Sequence, residues 1–191
     1  MAAVLLFHHA LGVTPGVRDF ADRIRLAGHT VDIPDFYDGR VFDNLEAGVA
    51  HAERIGFETI LERGRATAEQ LPTDLVYAGI SLGVLPAQML AQTRAGAKGA
   101  LLFEACVPAS EFGTWPSDLP VQIHGMEGDE FFAGEGDLEA ARALVESTSG
   151  AELFTYAGNR HLFVDASFPS YDAEAAESCV RRVLSFLQGI F

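Results

Sequence analysis

The sequence predicts an α/β protein with a mostly parallel sheet and helices on both faces. Short apolar, β-prone runs alternate with longer amphipathic ones along the whole chain. The strand-like runs are apolar almost throughout, as strands buried on both faces must be. At 191 residues the chain suits one core better than two, so a single domain over 1–191 is expected.

Each element follows from its residues. Val4 to Phe7 reads as a buried strand, followed by the loop His8 to Pro15. A helix runs from about Gly16 to Ala27, with Gly28 as its stop. Thr30 to Ile33 is a short strand ended by Pro34. Asp35 to Leu45 is a polar, aromatic loop. Glu46 to Gln70 is helical with a break near Gly56 or Gly64. Asp74 to Ala78 is a strand, Gly83 to Thr93 a helix and Lys98 to Glu104 a strand. Ala105 to Leu119 is a loop carrying Trp115. Pro120 to His124 is a strand, and Gly125 to Gly136 a Gly-rich acidic loop. Asp137 caps a helix to about Ser147. Glu152 to Tyr156 is the last strand and Ala173 to Leu187 the last helix.

Composition narrows the function. Thirteen Lys and Arg face twenty-seven Asp and Glu, a formal charge of −14, and Lys98 is the sole lysine. Such a surface repels phosphate backbones and anionic lipid, so neither nucleic acid nor membrane is an expected partner. The longest apolar stretch, Leu75 to Ala91, is too interrupted to span a bilayer. No targeting segment is visible, which points to the cytoplasm. Cys106 and Cys179 lack metal spacing and read as reduced core thiols. No metal or other cofactor is expected, since the acidic loop has no ligand spacing.

In such sheets ligands bind beyond the carboxyl ends of the strands. There, Gly79-Ile80-Ser81-Leu82-Gly83 joins a buried strand to a helix. G-x-S-x-G in this context presents a serine nucleophile on a tight turn, with helix N–H groups aimed at developing negative charge. The bland reading of Ser81 is a helix N-cap. A serine needs a base, and the base needs an acid to orient it. His161, in the loop after the last strand, is the candidate base. His124 lies in a strand and reads as a core histidine. The acid should follow the penultimate strand, where Glu127, Asp129 and Glu130 compete. Asp129 is favoured because Gly128 before it permits a tight bend. An oxyanion hole would use the N–H of Leu82 and one from the first loop, Ala10 or else Leu11.

These residues resemble the dienelactone hydrolase family of the α/β-hydrolase superfamily across nearly the whole chain. The carriers are His9-Ala10-Leu11-Gly12, Gly28 to Val31, Pro34-Asp35-Phe36-Tyr37 (the family's P-D-L-Y) and Gly79 to Gly83. Gly125 to Asp129 and Gly158 to Phe163 (G-x-x-H-x-F) complete the set. The namesake enzymes carry cysteine where Ser81 stands, and a first-loop glutamate where His9 stands. Their anionic lactone is held by arginines, for which Arg40 lies in a plausible loop. The resemblance implies an α/β-hydrolase fold and hydrolysis of small esters or lactones by a Ser81–Asp129–His161 triad; the alternating core takes up almost all of the 191 residues, so no cap domain is expected.

His9 either lines the pocket and donates to substrate or pairs with backbone as an ordinary loop histidine. Leu11, Tyr37 and Trp115 are further candidates to contact substrate. Phe36, Phe131, Phe132 and Phe163 lie on the same side and could wall the pocket. The contrasting function is a non-catalytic small-molecule binder on the same fold. A monomer or homodimer is expected.

Overall fold

Strand residues point alternately to opposite faces, so a run such as Val4-Leu5-Leu6-Phe7 must meet two apolar layers. The structure, a computed structural model, describes residues 1–190 and shows both layers. Val4 and Leu6 join a core under helices α1 (Pro15–Leu26) and α7 (Ala173–Ile190). Leu5 and Phe7 join the opposite core. Helices α2 (Leu45–Ile55), α3 (Phe57–Glu69), α4 (Val84–Thr93) and α6 (Asp137–Ser147) cover that side.

Six strands form one sheet: β1 (Ala3–Phe7), β2 (Thr30–Asp32), β3 (Val76–Ile80), β4 (Gly99–Phe103), β5 (Val121–Met126) and β6 (Ala151–Tyr156). Their order is β2-β1-β3-β4-β5-β6, and every pairing is parallel. Connection direction reverses between β1 and β3, the switch point where such sheets open a crevice. The described elements fall into the one α/β unit, with no inserted cap among them.

Local chemistry explains the boundaries. Thr14 caps α1 by accepting the Val17 N–H, with Pro15 in the first turn. Asn44 caps α2 in the same way through the Ala47 N–H. The expected break in the long helical region falls at Gly56, whose φ is +88°. Gly64 stays inside α3, where a Cβ would press on the Pro86 side chain. No helix among the described residues is long and apolar enough to cross a membrane. Cys106 and Cys179 are both buried and free.

Two expectations near the acidic loop need correction. β5 runs on to Met126, and a five-residue helix, α5 (Glu130–Gly134), occupies what reads as loop. Asp137 does not cap α6; Gly136 occupies the cap in a left-handed conformation. The Asp137 carboxylate instead accepts the Cys106 N–H, which draws it across to the β4 side.

Candidate active site

Four neighbouring strands each deliver one polar side chain to the carboxyl edge of the sheet. Ser81 follows β3, Glu104 follows β4, Asp129 follows β5, and His161 follows β6. Ser81 opens a single 3₁₀ turn before α4 and sits at φ +50°. The glycines around it let backbones meet: a Cβ on Gly79 would strike the Gly83 carbonyl, and one on Gly83 the Phe7 carbonyl. This is the packing that the G-x-S-x-G spacing requires.

Ser81 Oγ lies 2.8 Å from His161 Nε2. His161 Nδ1 lies 2.7 Å from Asp129 Oδ2. With the proton on Nδ1, the imidazole donates to Asp129 and accepts from the Ser81 hydroxyl. The other Asp129 oxygen accepts the Phe131 N–H and caps α5, so the helix fixes the carboxylate. Gly128 is not in the left-handed region; it is small because a Cβ there would crowd the Gly158 carbonyl and Asn159. Burial pushes His161 down, but the Asp129 hydrogen bond and the charges of Glu104, Asp129 and Asp137 outweigh it. The net shift is upward from 6.5.

Ser81 and His161 open into a cleft of about 200 Å³ that Leu82, Leu85, Val107 and Phe131 also line. Phe131 is 41% exposed, and its ring centroid stands 4.6 Å from that of His161. The charged lining is wholly acidic: Glu104, Glu135 and Asp137. Burial first, and neighbouring carboxylates second, lift Asp137 to about 6, against the Cys106 hydrogen bond. The described residues contain no group of three or more side chains arranged to hold a metal ion.

The dienelactone hydrolase family profile matches residues 1–191. The chain belongs to the dienelactone hydrolase family. Solved α/β-hydrolases share the fold. A protein assigned as a dienelactone hydrolase from Klebsiella pneumoniae is 17% identical with a TM-score of 0.76, over 98% of this chain and 87% of that one. One assigned to the α/β-hydrolase superfamily from Xanthomonas campestris is 22% identical with a TM-score of 0.64, over 99% of both chains. Esterase Est2 of Thermogutta terrifontis, solved with propionate, is 17% identical with a TM-score of 0.65, over 99% of this chain and 83% of that one. A comparison with curated proteins finds no match.

The other candidates on this family member fall on both sides of the line between cleft and core. Leu82 lines the cleft beside Ser81. Ala10 sits in the loop after β1, across the switch point from Ser81. Leu11 is withdrawn from both suggested roles: its N–H donates to His9 Nδ1 and its side chain is buried. His9 is corrected as a substrate contact. It is wholly buried, with Nε2 2.7 Å from Asp165 Oδ2 and Nδ1 taken by Leu11. Tyr37 is also corrected, since it packs against His8, Phe42 and His51 in the interior. Trp115 is buried in the α4/α6 core and its indole N–H donates to the Leu119 carbonyl at 2.9 Å. An aromatic side chain on a loop is drawn inward by the area it can bury, so Tyr37 and Trp115 both leave the cleft.

Phe131 alone of the aromatic set reaches the cleft; Phe36, Phe132 and Phe163 are core residues. His124 is a neutral core histidine: burial holds it down at about 3, and Nδ1 pairs with the Tyr156 hydroxyl at 2.9 Å. Arg40 does not line the cleft around Ser81. Glu104 was not among the candidates. Its signal was a lone carboxylate closing the apolar strand Gly99–Phe103, at the edge where sites form.

Proposed function

We propose that this chain is a serine hydrolase of small carboxylic esters or lactones. The observation that carries the reading is the hydrogen-bonded line from Ser81 Oγ through His161 to Asp129, with the serine held at φ +50°. Membership of a hydrolase family supports it. In this reading Ser81 Oγ attacks the carbonyl carbon while His161 Nε2 takes its proton. Asp129 stabilises the imidazolium. The N–H groups of Leu82 and Ala10 hold the oxyanion. His161 then protonates the departing alkoxide, and water, activated by the same imidazole, releases the acid.

The cleft favours neutral or cationic substrates. Its charged lining is acidic, and no Arg or Lys lines it to receive a carboxylate, as the namesake lactone would need. Its small volume favours short acyl groups. Hydrolysis as drawn needs no cofactor. Two buried, free thiols suit a reducing compartment such as the cytoplasm.

The test is hydrolysis of short-chain activated esters by wild type and Ser81→Ala, with labelling of Ser81 by a fluorophosphonate. Loss of both in the variant supports the mechanism. Equal rates in the two proteins remove it.

A further inference from the structure

Glu104 lies on the floor of the cleft, 1% exposed, and has no part in the steps above. Its Oε2 accepts the Leu162 N–H at 2.9 Å and its Oε1 accepts the Phe163 N–H at 2.7 Å. Those two residues directly follow His161. One carboxylate therefore holds the backbone on that side of the imidazole, while Ser170 Oγ donates to the His161 carbonyl.

The backbone is strained at both ends of this contact. Glu104 sits at φ +62° and Leu162 at φ +64°. With Ser81 they make three of the four non-glycine residues in the left-handed region among the described residues. Such strain persists only where surroundings over-determine it, and it gathers at functional sites. An ionised carboxylate is also the side chain suited to two converging N–H donors.

We infer that Glu104 is a positioning residue for the His161 base, clamping its loop from the floor of the cleft. The inference rests on the proposed role of Ser81 and His161. The groups facing Glu104 come from every side of the cleft. They are His161, Asp129 from the turn after β5, and Asp137 and Glu135 near the start of α6. The Cys179 thiol faces it from α7, and Ser81 shares the cleft. Burial pushes Glu104 up, the His161 charge and the two N–H bonds pull it back, and it settles at about 7. Its charge in turn acts to raise His161.

The experiment is the pH profile of kcat/KM for wild type, Glu104→Gln and Glu104→Asp, with thermal melts. The glutamine variant removes the charge and one acceptor. Its acid limb moves about one unit to lower pH. Its plateau falls about 10- to 100-fold from loss of alignment. Glu104→Asp keeps the charge on a shorter stem, so its limb stays near the wild-type position while its plateau falls. A folded Glu104→Gln protein with an unmoved limb overturns the inference. If that variant does not fold, wild type decides: the ¹³C-labelled Glu104 carboxyl and the His161 ring each show two inflections in an NMR titration. A His161 curve with one inflection, blind to Glu104, also overturns it. Failure of the proposed function is separate: wild type then shows neither Ser81-dependent hydrolysis nor labelling, whatever the titration gives.

Discussion

The molecule contains two buried histidine–carboxylate pairs of the same length. His161–Asp129 and His9–Asp165 both measure 2.7 Å. They differ in what the second ring nitrogen meets. His161 gives Nδ1 to its carboxylate and turns Nε2 to the Ser81 hydroxyl, at 8% exposure beside the cleft. His9 gives Nε2 to its carboxylate and spends Nδ1 on the Leu11 N–H, at 0% exposure. Asp165 also accepts from Thr14 Oγ1 at 2.5 Å and Ser167 Oγ at 2.6 Å. The second pair ties the first loop and the start of α1 to the chain beyond His161. A His–Asp pair is thus not a catalytic unit by itself; the proposed mechanism also needs an open second nitrogen that meets a serine hydroxyl.

The comparison breaks most sharply on activity. Ser81→Ala and His161→Ala should each lower kcat/KM by about 100,000-fold or more. The melting temperature of Ser81→Ala should stay near wild type, while His161→Ala, which leaves the buried Asp129 carboxylate without its imidazole partner, should melt lower. Asp129→Asn should follow with a loss of about 10,000-fold at most, by favouring the wrong tautomer. Comparable losses of specific activity in His9→Ala, measured on folded protein, would erase the distinction.

Stability tests the other pair. Asp165→Asn replaces one of two acceptor oxygens with an NH2 group, so the buried His9 and Thr14 donors or the Ser167 donors lose their partner, which costs about 3 kcal/mol, or about 10 °C in Tm for a chain of this size. Burial acts to raise Asp165, but the His9, Ser167 and Thr14 hydrogen bonds win and hold it at about 2. That value is below the ordinary 3.8, so its stabilisation is complete above about pH 4 and fades as pH falls toward 2. Denaturant melts across this window should decline in wild type and flatten in Asp165→Asn.

Two smaller effects sharpen the reading of the pair beside Ser81. His161 must be neutral to accept the Ser81 proton, and its pKa lies above 6.5. The acid limb of kcat/KM should therefore have its midpoint above pH 6.5, and a midpoint below it would contradict the stacking of three carboxyl groups around the ring. Phe131→Ala should raise KM for acyl esters by about tenfold or less, the scale of one buried apolar contact, with kcat near wild type.

Much of the fold is legible because its signals are local. Gly28, Pro34 and the apolar runs of β1, β3 and β4 mark boundaries through backbone conformation and side-chain period alone. The elbow is legible too, since Gly79 and Gly83 follow from a close approach between neighbouring segments. The lining of the cleft was not. Tyr37 and Trp115 stand in loops on the right side, yet both turn into the core, while Phe131 turns out. Asp137 looks like a cap from its place before a helix, but its partner is the Cys106 N–H, 31 residues away.

The sequence by itself determined the six strands and every helix but α5, the serine turn, and a short choice of acids and a histidine after the later strands. Those depend on period, turn residues and order along the chain. Only the tertiary structure decided which histidine faces the Ser81 hydroxyl and which is sealed against a backbone N–H. It alone brought Glu104 under the His161 loop from 58 residues away. Hydrogen-bond partners across that distance are chosen by sheet register and loop path, which no local pattern encodes.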